Sequence, residues 1–121
     1  MELNLVERHG KRFLEGFAGK SLLSNAEEAV KLVEACFNHQ THCLLLYAEN
    51  LTERFFDLSS LEAGTVLQKL RNYHIRLAVV WSPEVRQLSH RFGELLVEEN
   101  RDRYFHLFEE RPKAEAWLLE D

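Results

Sequence analysis

The chain has 121 residues, 45% of them hydrophobic and 29% charged, with a formal net charge of −5. This suits one globular domain with an ordinary core and carries no disorder signature. Acidic and basic residues are spread over both halves, which argues against non-specific binding to nucleic acid or to an anionic membrane surface.

Residues 1–17 read as two short strands joined at His9-Gly10, with Leu3, Leu5, Phe13 and Phe17 facing the core and Gly10 supplying a positive φ. Ser24-Asn25-Ala26-Glu27 reads as a capping box opening a helix whose inner face is Ala26, Ala29, Val30, Val33 and Phe37. Residues 43–48 follow as a strand that is apolar on both sides. Ser59-Ser60-Leu61-Glu62 reads as a second capping box, leading into a helix that buries Ala63, Val66, Leu67 and Leu70 and ends near Tyr73.

Ile75 to Trp81 is another strand apolar on both faces. Ser82-Pro83 predicts the start of a third helix, with Val85, Leu88, Phe92, Leu95 and Leu96 inward and Asn100 closing it in a left-handed conformation. Tyr104 to Glu109 is the last strand, and Pro112 opens a terminal helix that packs Ala114, Trp117 and Leu118. The expected fold is therefore one α/β domain over residues 1–121. Its order is β-β-α-β-α-β-α-β-α, with a mixed, mainly parallel sheet of about five strands.

Within this order Cys43 to Trp81 forms one β-loop-α-β unit. It sets Glu49 to Ser60 between a strand's carboxyl end and a helix's amino end, where α/β proteins commonly bind ligands. Phe55-Phe56 in that segment offers an interaction anchor if one ring is exposed, and a core plug if a bend buries both. Ser59 and Ser60 are candidates for a phospho-acceptor or anion site, because helix amino ends carry unpaired amides and a positive dipole end. Capping alone also accounts for both serines.

Other clusters have plainer explanations. Cys36-x-x-His39-x-x-His42-Cys43 holds four residues of zinc-ligating type, but both cysteines fall on apolar faces, as buried free cysteines do. Ser59 or Ser60, His74 or His90, and Asp57 or Glu49 could be drawn as a nucleophile, base and acid. No G-x-S-x-G elbow or glycine-rich phosphate loop supports that drawing. Arg86, His90, Arg91, Arg101 and Arg103, with Tyr104, could form an anion or partner patch, or a solvated face balanced by Glu84, Glu94, Glu98 and Glu99.

Several stretches resemble a bacterial family known as domain of unknown function 4180. They are Glu49-Asn50-Leu51, Phe55-Phe56-Asp57-Leu58, Ala63-Gly64, Leu67-Gln68-Lys69, Asn72-Tyr73, Leu77-Ala78-Val79-Val80, residues 98–100 and Ala116-Trp117-Leu118. The family usually has glycine where this chain has Leu61, and another near Asp102. The order of elements is similar to the STAS or SpoIIAA-like fold of anti-anti-sigma factors. That resemblance implies a switch in which a serine at the second helix's amino end is phosphorylated by a partner kinase. Asp57-Leu58-Ser59-Ser60 looks similar in position, without the glycine expected after the serines.

The expected function is a cytoplasmic protein-interaction or regulatory module using the Glu49–Gly64 edge, with Glu49, Asn50, Phe55, Phe56 and Asp57 as partner-binding residues. The alternative is a small hydrolase-like enzyme or ligand-binding domain on the same edge. A protein partner is expected, self-association among the options. No cofactor, metal, nucleic acid or membrane is expected. No apolar stretch reaches the roughly 20 residues of a transmembrane helix. Met1 to Arg8 lacks a signal-peptide layout, and two cysteines make no secreted disulfide framework.

Overall fold

The computed structural model describes residues 2–23, 25–57, 60–85, 87–101 and 103–120, without the side chains of 99 and 100. Its strands are β1 (Asn4–Arg8), β2 (Lys11–Glu15), β3 (Cys43–Tyr47), β4 (Arg76–Val80) and β5 (Phe105–Phe108). Its α-helices are α1 (Ala29–Asn38), α2 (Glu62–Asn72), α3 (His90–Arg101) and α4 (Arg111–Leu118). The five strands form one sheet in the order β1-β2-β3-β4-β5.

The sheet is mixed rather than mainly parallel. β1 pairs antiparallel with β2 along its whole length, from Asn4 opposite Glu15 to Arg8 opposite Lys11. The parallel pairing of β2 with β3 spans only Leu14–Leu44 and Glu15–Leu45, while β3–β4 and β4–β5 are parallel throughout. The antiparallel hairpin follows from its turn. His9 and Gly10 both have positive φ, 53° and 80°, the pattern of the two-residue turn whose twist matches paired strands.

Alternating residues of β3 and β4 feed two cores. Leu44, Leu46, Leu77 and Val79 point to one face, where α1, α2 and α3 pack. Leu45 and Ala78 point to the other, which α4 covers through Ala114, Trp117 and Leu118. Crossovers that advance in one direction with one hand put all their helices on one face, and the three crossover helices obey that rule.

Several local expectations are corrected. Val6, not Leu5, is the buried residue of β1, and Phe17 is exposed. Asn25 caps the first helical segment, its Oδ1 accepting the Glu28 amide at 3.2 Å; Ser24 lies outside the described residues. α1 buries Ala29, Leu32, Val33 and Cys36, leaving Val30 and Phe37 exposed. Residues 29, 32, 33 and 36 form the complete i, i+3, i+4, i+7 stripe. α3 begins at His90, because Ser89 Oγ accepts the Phe92 amide at 3.1 Å. The Pro83 segment forms only a turn and leaves Val85 84% exposed. After α3 the left-handed residue is Arg103, at φ 61°.

Candidate functional site

The Glu49–Gly64 segment leaves β3 and is clasped to the rest of the molecule by polar side chains. Asn50 is fully buried. Its Oδ1 accepts the Tyr47 amide at 2.7 Å, and its Nδ2 donates to the carbonyls of Phe17 and Lys20 at 2.9 and 2.7 Å. Its own carbonyl accepts the amides of Leu22 and Leu23. Gly16 must be glycine for this packing: a Cβ there would stand 2.3 Å from Asn50 Oδ1. Asn50 is thus an internal knot tying residues 16–23 to the end of β3, with no side chain to present to a partner.

Thr52 then caps a 3₁₀ turn, Glu53–Phe56, by accepting the Phe55 amide, and its hydroxyl donates to the buried Glu62 carboxylate. The tight turn resolves the question of the paired phenylalanines. Both rings are buried, 5.2 Å apart and 72° from coplanar. Phe55 meets Phe105 edge-on at 5.9 Å, and Phe56 lies 5.5 Å from Phe92. Edge-to-face contacts at these separations are the favourable arrangement. Phe55 and Phe56 are therefore core plugs, and the expectation of an exposed aromatic anchor is overturned by burial.

The start of α2 also differs from expectation. Leu61 occupies the N-cap position in the left-handed region, at φ 65°, and makes no side-chain cap. Ser60 Oγ donates to the carbonyls of Arg54 and Asp57, at 2.5 and 2.7 Å, and accepts the Glu62 amide at 3.2 Å. The Glu62 carboxylate accepts from Thr52. Ser59 and Leu58 lie outside the described residues.

Once Asn50, Phe55 and Phe56 are internal, the surface of this edge is made by other side chains. Glu49, Glu53, Arg54 and Asp57 are all exposed. Leu61 is 73% exposed, the largest apolar projection of the segment. From it a shallow groove of about 540 Å³ runs along α2 past Gly64, Thr65, Gln68, Lys69 and Asn72. A second cleft, of about 310 Å³, lies between the carboxyl ends of β3 and β4, bounded by Glu49, Leu51, Glu53, Trp81, Ser82 and Val85.

Strand order bears on what this edge can do. In open α/β sheets ligands collect where strand order reverses and helices diverge onto opposite faces. Here β2 to β5 advance in one direction, with their crossover helices on one face, so the described residues form no such switch-point crevice at this edge.

The remaining clusters are dispersed. His74 Nδ1 meets Tyr104 Oη at 3.1 Å, and His90 pairs with Glu94 at 3.1 Å. Neither histidine hydrogen-bonds Ser60 among the described residues. Cys36 belongs to the three-helix side of the core and Cys43 to the α4 side, with His39 and His42 exposed. Burial pushes the Cys36 thiol up to about 12 and raises Cys43 as well, so both thiols are protonated at neutral pH and poor as nucleophiles or metal ligands. No group of three or more His, Cys, Asp or Glu among the described residues is arranged to hold a metal ion. Arg86 is outside the described residues, Arg103 is engaged by Glu120, and Tyr104 lies under the Arg71 guanidinium at 5.5 Å, so these do not form one patch.

Sequence reasoning missed the opposite edge. A cleft of about 540 Å³ there is bounded by Lys11, Arg12, His42, Cys43 and Arg76, with the end of α4. Two of its cations, Lys11 and Arg76, serve that helix, while Arg12 pairs with Glu7. Lys11 donates to the Leu119 carbonyl at 2.6 Å and Arg76 to the Trp117 carbonyl at 2.9 Å, the favoured place for positive charge at a helix carboxyl end. The lone polar residue opening the apolar run of β4, Arg76, was the available signal.

Fold and surface together define a small mixed α/β domain with three helices on one face of a five-stranded sheet and one on the other. No helix among the described residues is long and apolar enough to cross a membrane. A family model described as domain of unknown function DUF4180 matches residues 8–118, and the chain belongs to that family. No curated protein and no solved structure matches it.

Proposed function

We propose that the chain is a cytoplasmic protein-interaction or regulatory module of STAS-like architecture, working through the Glu49–Gly64 edge and the adjoining outer face of α2. The observation that carries this is Leu61: an apolar side chain, 73% exposed, on a backbone with positive φ. Strain of this kind concentrates at functional positions, and an exposed hydrophobe beside a groove is an economical binding anchor. A phospho-switch at Ser60 would have to turn its hydroxyl away from the Arg54 and Asp57 carbonyls.

The test is cross-linking capture in the native cell with the wild-type chain and with Leu61→Gly, followed by mass spectrometry of partners and phosphoserine. A partner enriched by the wild type should fall roughly tenfold with the variant, as for loss of a binding anchor. Equal capture by a variant of unchanged fold removes the edge from consideration.

The alternative, a small enzyme or ligand-binding domain, draws support from the cleft of about 310 Å³ holding Glu49, Glu53, Ser82 and Trp81. It requires a small molecule that raises the melting temperature saturably, and whose effect is lost with Trp81→Ala.

A further inference from the structure

We infer that the groove along α2 is filled by Leu61 of a second copy of this chain, in a twofold, antiparallel α2–α2 contact centred on Gly64. This rests on the reading of the edge as an interaction surface and names its partner.

A twofold interface must be self-complementary, with knob and hole on the same patch. Leu61 supplies the knob, projecting from the amino end of the helix. Gly64 supplies the hole: a methyl group built there would meet no atom within 4 Å, so a neighbouring helix can approach the backbone closely. The spacing fits. With the axis at Gly64, the rise of 1.5 Å per residue sets Leu61 roughly 4.5 Å from it, beside the partner's Thr65 and Gln68, which stand roughly 1.5 and 6 Å away on that side.

Charge selects the same occupant. The molecule carries −5 overall, so two copies repel over most of their surfaces. The outer stripe of α2 is the exception, since Leu61, Gly64, Thr65, Gln68 and Asn72 are uncharged. Gln68 Nε2 donates to Asn72 Oδ1 at 2.8 Å. The one charge at the groove, Lys69, falls roughly 15 Å from its symmetry mate along the helices, beyond the Debye length of about 8 Å at physiological salt. Antiparallel helices also oppose their dipoles favourably. An acidic or basic partner would gain nothing from so neutral a stripe. The eleven residues of α2 extend only about 16 Å, so a contact confined to this helix is small and the association is weak and reversible.

Sedimentation velocity of the full chain over about 1 µM to 1 mM, the range of a weak interface, reads the proposal directly. The wild type should shift from monomer to dimer across that range. Leu61→Gly removes the knob, and Gly64→Gln fills the hole. Each should raise the dissociation constant roughly tenfold or more, with a melting temperature no lower than wild type. Both replacements are locally benign, glycine at a positive φ and a side chain in open space on a helix. A wild type that stays monomeric throughout overturns the inference, as does a dimer that either variant leaves unweakened. If a monomeric chain loses a captured cellular protein on Leu61→Gly, the second-copy assignment falls and the interaction-module reading stands.

Discussion

At the scale of single residues, the molecule spends its polar side chains on internal closure. Asn50 holds one amide and two carbonyls at distances of 2.7–2.9 Å while fully buried. Buried polar groups left without partners each cost about 1–3 kcal/mol. Asn50→Ala should therefore destabilise by about 3 kcal/mol, read as a lower midpoint in urea with an unchanged slope. A loss under about 1 kcal/mol would mean that water replaces the side chain. None of this was legible in the sequence, because the carbonyls of Phe17 and Lys20 stand some thirty positions away and leave no local pattern. Leu61 was half legible: the resemblance implies a glycine at that position, a residue that favours positive φ, and the structure puts φ at 65° there.

Elements were readable where only one periodicity was available. β3 and β4 are apolar on both faces, and the structure buries Leu44, Leu45 and Leu46, and Leu77, Ala78 and Val79, at the centre of the sheet. Their amides should be among the slowest to exchange, and Leu45→Ala should cost about 2–5 kcal/mol. Fast exchange in either strand would contradict the central placement. α1 offers two apolar stripes, Val30 and Phe37 beside Leu32 and Cys36, and its sequence alone does not choose between them. For α3, Ser82-Pro83 and Ser89 both carry start signals, and only packing decides between them.

The ends of α1 and α2 hid for another reason. Both close in a Schellman motif, with Thr41 N–H on the Cys36 carbonyl and Gln40 N–H on Phe37, then Ile75 N–H on Leu70 and His74 N–H on Arg71. The left-handed residues are Gln40 and His74, at φ 53° and 58°, where glycine would have announced the stop.

At the scale of the whole molecule, one ionic network binds the hairpin to the last helix. Arg111 grips the Glu15 carboxylate with two bonds of 2.8 Å and Glu115 with a third of 3.0 Å, while Tyr47 Oη donates to Glu15 at 2.6 Å. The Arg111 hydrogen bond, outweighing the burial that opposes it, holds the Glu15 carboxyl below its ordinary value. Burial, and the Glu15 carboxylate beside it, push the Tyr47 phenol up. A lowered carboxyl pKa stabilises the fold above the unfolded value, about 4.3, and that contribution drains away as pH falls through the lowered one. Glu15→Gln should thus cost about 2 kcal/mol at neutral pH, with wild type and variant converging below about pH 4. Curves that stay parallel into acid would show that the network adds nothing through charge.

The sheet is defended unequally. Three helices shelter one side, while the other depends on α4, eight residues long and too short to hold its shape alone. It stays down because Trp117 and Leu118 are packed beneath it and because Lys11 and Arg76 grasp its closing carbonyls from below. Should it lift, Phe13, Leu45 and Ala78 would meet water together, a contiguous greasy strip in the middle of a folded protein. The chain thus carries a concealed adhesive, and the hold on one short helix decides whether it is ever uncovered.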